Sequence, residues 1–224
     1  MKASFVIPVH NGSAYLAETL DSCVQQKLKD IEIIVVDDGS DDRTVGLINY
    51  FIEKDRRIVL IKHDVNKGRS EARNTGIEAA TSDIILTSDA DDLSHPMRAG
   101  DTVNYFKKFP DVDIVTTRAQ VIDPLGNIGG VLPTQPFSWK NVTEKKMTYI
   151  VHSSMAFKKK VFEKVQFTSG DYSKNAIDDW KFQVDAYKAG FKFGYLNKTL
   201  VQYRYIPKPR DEKKILELKE LCLG

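Results

Sequence analysis

Little in this chain would cross-link it, anchor it or send it out of a cell. Its 224 residues hold two cysteines, Cys23 and Cys222, in no metal or redox spacing. That excludes a disulfide framework and fits a reduced, cytoplasmic setting. No apolar run approaches the ~18 residues of a membrane-spanning helix. The opening Met1-Lys2-Ala3-Ser4-Phe5-Val6-Ile7-Pro8 has one lysine and too short an apolar stretch for a secretion signal. The sequons at Asn11, Asn141 and Asn197 therefore read as chance matches. A net charge of +2 leaves no basic excess, and no nucleic-acid partner is expected. No G-x-G-x-x-G follows a strand, which excludes a nicotinamide dehydrogenase. Repeats, low-complexity tracts and linkers are also missing, so one domain over residues 1–224 is expected. A chain of this size buries roughly 70% of its unfolded surface and needs no staples.

What is present is an alternation. Ala3 to Val9, Ile31 to Val36, Ile58 to Ile61 and Ile84 to Thr87 are short apolar runs rich in β-branched residues, the pattern of buried strands. Between them, Tyr15 to Gln26 (with Ser13 as N-cap), Arg43 to Lys54 and Ser70 to Ala80 carry the marks of helices. This order predicts right-handed βαβ units, a largely parallel sheet and an α/β fold. The second half is less regular. Helices are expected over 97–109, 159–165, 178–189 (ended by Gly190) and 211–223. Strands are expected over 112–117, 153–157, 193–196 and 201–205, with a turn at 124–127. The stretch 129–146 reads as a long loop suited to a mobile flap.

Ligands of open α/β sheets bind beyond the carboxyl ends of the strands. Every unusual polar cluster of the first half falls there: Asn11-Gly12-Ser13, Asp37-Asp38-Gly39-Ser40-Asp41-Asp42, Asn66-Lys67-Gly68 and Asp89-Ala90-Asp91-Asp92. In the last cluster, three of four positions are carboxylates, which repel one another and are costly to bury unpaired. A hard cation such as Mg²⁺ or Mn²⁺, its shell completed by substrate phosphates, relieves that repulsion. A lone D-x-D reads as well as a solvated acidic turn, but four clusters on one edge favour a binding site. Neither acidic stretch fits a calcium loop, because the mid-loop glycine is misplaced or missing. Asp37 or Asp38 can accept from an imide N–H or a ribose hydroxyl, while Asp41 or Asp42 caps the next helix. The helix start at Gly68 favours anions, and Arg69 and Arg73 share a face that suits either a diphosphate or plain solvent. Asp178-Asp179-Trp180 opens a further helix, and locally the two acids read as caps.

Taken together, Val6-Ile7-Pro8-Val9-His10-Asn11-Gly12, Val35-Val36-Asp37-Asp38-Gly39-Ser40-Asp41-Asp42, Asn66-Lys67-Gly68 through Ala72-Arg73-Asn74, the pair Asp89 and Asp91, and Asp178-Asp179-Trp180 resemble the family 2 glycosyltransferases. The pieces stand in the family's order and cover most of residues 3 to 205. The resemblance implies the GT-A fold, with about residues 1–117 as a nucleotide-sugar-binding half and about 118–224 as an acceptor-binding half. It implies that Asp38, with Asp37 beside it, holds the uracil or ribose, and that Pro8 and Val9 line the base pocket near Asn11. Arg73, with Lys67, would face ribose or diphosphate. Asp89 and Asp91, flanking Ala90, would engage ribose and a Mn²⁺ or Mg²⁺ ion, Asp91 as the direct ligand. Asp179 would be the general base, supported by Asp178. Two positions depart from the family pattern. Its usual Glu is Asp178 here, one methylene shorter. Where many members carry His after a Tyr-Arg pair, Tyr203-Arg204 is followed by Tyr205.

The implied function is inverting transfer of a sugar from a nucleotide-sugar, UDP-linked by preference, to a hydroxyl of a saccharide or lipid-linked saccharide. Polysaccharide or glycoconjugate biosynthesis would be its setting. A nucleotidyltransferase of related fold would need a Gly-rich, Arg- and Lys-bearing loop after the first strand, where this chain reads His10-Asn11-Gly12-Ser13. A non-catalytic nucleotide-sugar-binding domain would have no use for the acid at 179. Lys158-Lys159-Lys160 and the basic stretch Lys208 to Lys214 leave peripheral association at the inner face of a membrane open, although a solvated helix explains them as well. No motif specifies the donor sugar, acceptor, linkage or oligomeric state.

Overall fold

The computed structural model describes residues 2–207 and 209–223. Lys208, at the head of the basic tail, lies outside them, as do both terminal residues. In chain order the first half runs β1 (Ala3–Val9), α1 (Leu16–Val24), β2 (Ile31–Asp37), α2 (Thr44–Lys54), β3 (Ile58–Lys62), α3 (Arg69–Ala79), β4 (Ile84–Thr87), β5 (Leu93–Ser94) and α4 (Arg98–Lys108). The second half runs β6 (Ile114–Ile122), β7 (Ile128–Val131), α5 (Trp139–Lys145), β8 (Met155–Lys158), α6 (Asp171–Lys174), α7 (Asp178–Lys188), β9 (Phe193–Arg204) and α8 (Glu212–Leu223). All these strands join one sheet in the order β3-β2-β1-β4-β8-β6-β9-β5, with β7 pairing the far end of β6. The pairs β3–β2, β2–β1, β1–β4 and β6–β9 are parallel. β8, β5 and β7 run the other way. One sheet thus carries strands of both halves.

The alternation of side chains along the central strands explains their burial on both faces. Phe5, Ile7, Ile33, Val35, Ile84 and Leu86 point to the layer shared with α1, α2 and α4. Val6, Ile34, Val36 and Ile85 point to the opposite layer with α3 and α7, where Phe157, Phe167 and Phe182 pack. Each such side chain, fully buried, contributes about 1.5–3 kcal/mol. Helix α3 lies very close to the sheet. A Cβ at Gly76 would stand 2.6 Å from Val6 Cγ1 and 3.0 Å from Val36 Cγ2, so only glycine lets the helix backbone rest there. A third cluster joins Val142 of α5, Trp180 and Val184 of α7, and Ile215 and Leu218 of α8.

The differences from expectation have local causes. Ser13 does not cap α1; Tyr15 stands at the N-cap with no side-chain bond, and the Ser13 N–H donates to Asp42. β6 continues past 117 to Ile122, because β9 pairs along its full length. β9 is one strand rather than two; a register shift absorbs Asn197 and Lys198. The expected helix 159–165 is a single 3₁₀ turn, Lys159–Val161. The stretch 129–146 is not a bare loop: it holds most of β7 and then α5, which Ser138 caps through the Asn141 N–H.

Candidate active site

The parallel strands end on one edge, and the acidic turn is built there from below. Thr87 at the end of β4 donates its hydroxyl to the carbonyls of His152 and Met155. The next amides are held by Val6 O and Ser153 Oγ, at 3.1 and 3.0 Å. Arg98 is 1% exposed under the turn, donating to Thr87 O at 2.6 Å and Ser94 Oγ at 2.9 Å. Asp92 is buried, and one of its oxygens accepts from the Arg204 N–H. Burial, then the charges of Asp89 and Asp91, raise its proton affinity well above the carboxylate norm. Burial and the surrounding carboxylates, Asp92 first and Asp179 among them, push the Tyr203 phenol up to about 12. The acidic turn is tied to the start of α7.

Arg73 is what joins them. It lies on α3, 4% exposed, with its guanidinium against the face of Phe167. One nitrogen donates to Asp89 at 2.9 Å and another to Asp178, which also accepts from Ser70 Oγ at 3.0 Å. Burial opposes the Arg73 charge, and Asp178 and Asp89 more than offset it, so the guanidinium stays protonated. Its neighbour in the motif, Arg69, is exposed. The two arginines therefore differ: Arg73 is committed to carboxylates, and Arg69 is exposed.

Asp179 follows at the first turn of α7, half-buried, accepting from the Trp180 N–H at 2.8 Å. Burial and then the Asp178 charge raise it from 3.8 to about 6, against the pull of Arg73. The turn that delivers this pair is strained: Ala176 has φ 54°, a left-handed conformation unfavourable for a residue with a Cβ. Asp178 is more than a cap, since it spends its bonds on α3 rather than on its own helix, whereas Asp179 accepts from the first turn of α7.

The loops at the ends of β1, β2 and β3 interlock. Asp38 is 2% exposed, and both its oxygens already take protein donors: His63 Nδ1 at 2.7 Å and the Lys67 and Gly68 N–H groups at 2.9 and 2.8 Å. It therefore fastens the Asn66–Gly68 turn to the sheet. Asp37 is also buried, but one of its oxygens has no hydrogen-bond partner. Gly39 (φ 71°) lets the loop pass within contact of Val65 and Asn66, where a Cβ would meet backbone at 2.8 Å. Asn11, also left-handed at φ 52°, exchanges bonds with Ser40 and Asp41 across the two loops. Pro8 and Val9 are buried in β1, and Val9 belongs to the core, so they back this region rather than line it. Lys67 is exposed, and Ala90 is half-buried with its carbonyl on Thr19 Oγ1. Sequence reasoning passed over His63, Arg98, His152 and Arg204. Of these, only Arg204, in the Tyr203-Arg204-Tyr205 run, carried a local signal.

Among the described residues no group of three or more His, Cys, Asp or Glu side chains is gathered closely enough to hold an ion unaided. Mg²⁺ and Mn²⁺ often use one or two carboxylates plus substrate phosphates. Asp89 keeps one oxygen on Arg73 at 2.9 Å, so an ion held at this turn would use its other oxygen and Asp91 and take the rest of its shell from an arriving diphosphate.

A curled, mostly parallel sheet with an acidic turn and a helix start meeting on its carboxyl edge is the GT-A glycosyltransferase architecture. Residues 4–166 match the sequence profile of glycosyl transferase family 2, and the chain belongs to that family. Over 193 residues it is 29% identical to the uncharacterized glycosyltransferase MJ1057 of Methanocaldococcus jannaschii, covering 85% of this chain and 66% of that one. The crystal structure of S. aureus TarS 1–349 in complex with UDP-GlcNAc superposes with TM-score 0.77 at 17% identity, covering all of this chain and 66% of that one. The mannosyltransferase PcManGT of Pyrobaculum calidifontis, in complex with GDP-Man and Mn²⁺, superposes with TM-score 0.69 at 18% identity, over 92% of this chain and 57% of that one. This chain thus spans about two thirds or less of these relatives. No helix among the described residues is long and apolar enough to cross a membrane.

Proposed function

We propose that this protein transfers a sugar from a UDP-linked donor to a hydroxyl of a saccharide or lipid-linked saccharide acceptor, with inversion at the anomeric carbon. The observation that carries the reading is the Asp89–Arg73–Asp178 bridge, which ties the acidic turn to the helix that bears Asp179. A base needs a proton affinity near the working pH, and Asp179 is raised to about 6. In this scheme the acceptor hydroxyl attacks C1 from the face opposite the diphosphate while Asp179 takes its proton. Asp178 and Arg73 hold Asp179 in place. Asp89 and Asp91 would hold Mn²⁺ or Mg²⁺, which when bound offsets charge on the leaving diphosphate. Arg69, Lys67 and the free N–H groups at the start of α3 would meet the same anion. The unpartnered oxygen of Asp37 is a candidate acceptor for the base or ribose. The donor would occupy the first half and the acceptor the second. UDP and a divalent ion are chosen because the fold neighbours TarS and PcManGT carry a UDP-sugar and Mn²⁺ respectively.

The test is Asp179→Asn, assayed by UDP release and by donor titration. Transfer should fall by about 10²–10⁴ while UDP-sugar affinity stays within a few-fold of wild type. Wild-type turnover in this variant would end the base assignment.

A further inference from the structure

Arg204 ends β9, beyond the stretch matched by the family profile, and no role has been given to its side chain so far. Its side chain is 1% exposed. Nε donates to the carbonyl of Asp91 at 3.0 Å. One terminal nitrogen donates to the carbonyls of Asp123 and Pro124, both at 3.2 Å, and the other to Glu18 of α1 at 2.8 Å. The guanidinium lies 4.6 Å from the Tyr15 ring centroid. The backbone N–H of the same residue donates to the buried Asp92 carboxylate at 2.8 Å. One residue therefore grips the acidic turn at two successive positions and fastens it to α1 and to the β6–β7 turn.

We propose that Arg204 is a positioning residue for the divalent-ion and diphosphate site: it sets the backbone of Asp91 and the carboxylate of Asp92 so that the turn holds its shape against its own repulsion. The proposal rests on the reading of Asp89 and Asp91 given above. The chemistry favours arginine specifically. A planar fork with five donors can serve four acceptors in different directions, whereas an ammonium on a flexible stem cannot. The Asp92 carboxylate is held by a backbone N–H that any residue at 204 keeps, whereas the Asp91 carbonyl depends on the guanidinium; losing that grip should appear in the ion's binding rather than in the bond-making step.

The variants are Arg204→Lys and, as a milder cut at one contact, Glu18→Gln. Lys198→Gln, which breaks only a surface pair with Asp101, is the control. Two readouts are taken alongside thermal melting. The first is hydrogen exchange of the peptide spanning residues 88–94 without any ligand. In Arg204→Lys it should quicken about tenfold while core peptides of β1 and β2 stay protected, the scale expected when charge-assisted hydrogen bonds are lost. The second is the Mn²⁺ concentration for half-maximal UDP binding and donor turnover. It should rise about tenfold, with kcat recovering to within about threefold at saturating Mn²⁺. Glu18→Gln should give a smaller change in the same direction, and Lys198→Gln none. Unchanged exchange in Arg204→Lys, or exchange that quickens equally throughout the chain, would overturn the proposal. So would a kcat loss that Mn²⁺ does not restore. If wild type binds no Mn²⁺–UDP at all, the proposed function fails. The metal-site role of Arg204 falls with it, while the exchange readout still decides whether Arg204 shapes the turn.

Discussion

Asp179 shows how a single side chain can serve chemistry at the expense of stability. Its carboxyl is raised from 3.8 to about 6 in the folded protein, mainly by burial and then by Asp178. Between about pH 4 and 6 the folded state therefore binds more protons than the unfolded chain, and stability falls as pH rises through that window. Above it the full cost is present, on the order of 3 kcal/mol. Asp179→Asn should thus melt higher than wild type at pH 8, with the gap closing towards pH 4; melts across that range check the sign. The same proton should give the transfer rate an acid limb near pH 6. Asp178 has the opposite character. Its charge answers a buried guanidinium, and Asp178→Asn leaves Arg73 with Asp89 alone. A loss of about 3 kcal/mol is expected in urea unfolding, since breaking one arm of a buried pair strands the partner.

At the level of elements, the first four strands and their helices were readable because each obeys one period, and each polar cluster marks the loop at its end. The same reading singled out Asp89 and Asp91 and took Asp178–Asp179 as helix caps, a pair to which only the family resemblance gave a role. It could not tell Arg69 from Arg73, because which arginine is buried depends on Phe167 and Asp178, roughly a hundred residues away in sequence. Nothing local reveals that Asp38 also ties down the Lys67 and Gly68 amides and His63. β9 was split in two because a bulge interrupts its alternation, and α5 was lost among prolines although Ser138 signals its start. The turn before α7 offers a direct test of strain in an element. Ala176→Gly removes the cost of a left-handed Cβ, ~1–2 kcal/mol, and adds ~0.4–1 kcal/mol of unfolded-chain freedom. A net gain of up to about 1.5 kcal/mol in chemical denaturation is expected.

At the scale of the whole molecule, the site is assembled from both halves of one sheet, so a ligand that bridges them should report on the entire fold. UDP at about a hundred times the Kd it shows with Mn²⁺ present should raise Tm by roughly 5–10 °C over Mn²⁺ alone, and the same UDP concentration without Mn²⁺ by much less. Equal shifts with and without Mn²⁺ would argue that the ion has no part in nucleotide binding. The close seating of α3 has its own consequence at this scale. Alanine at 76 would have to prise the helix off Val6 and Val36, and the arm that leaves this helix one turn earlier is the tie between the carboxylates at 89 and 178. A single methyl group on the far side of the helix from solvent would then loosen the machinery without touching any residue in it. Damage inherited at such a position would look, in an assay, like a lost catalytic group.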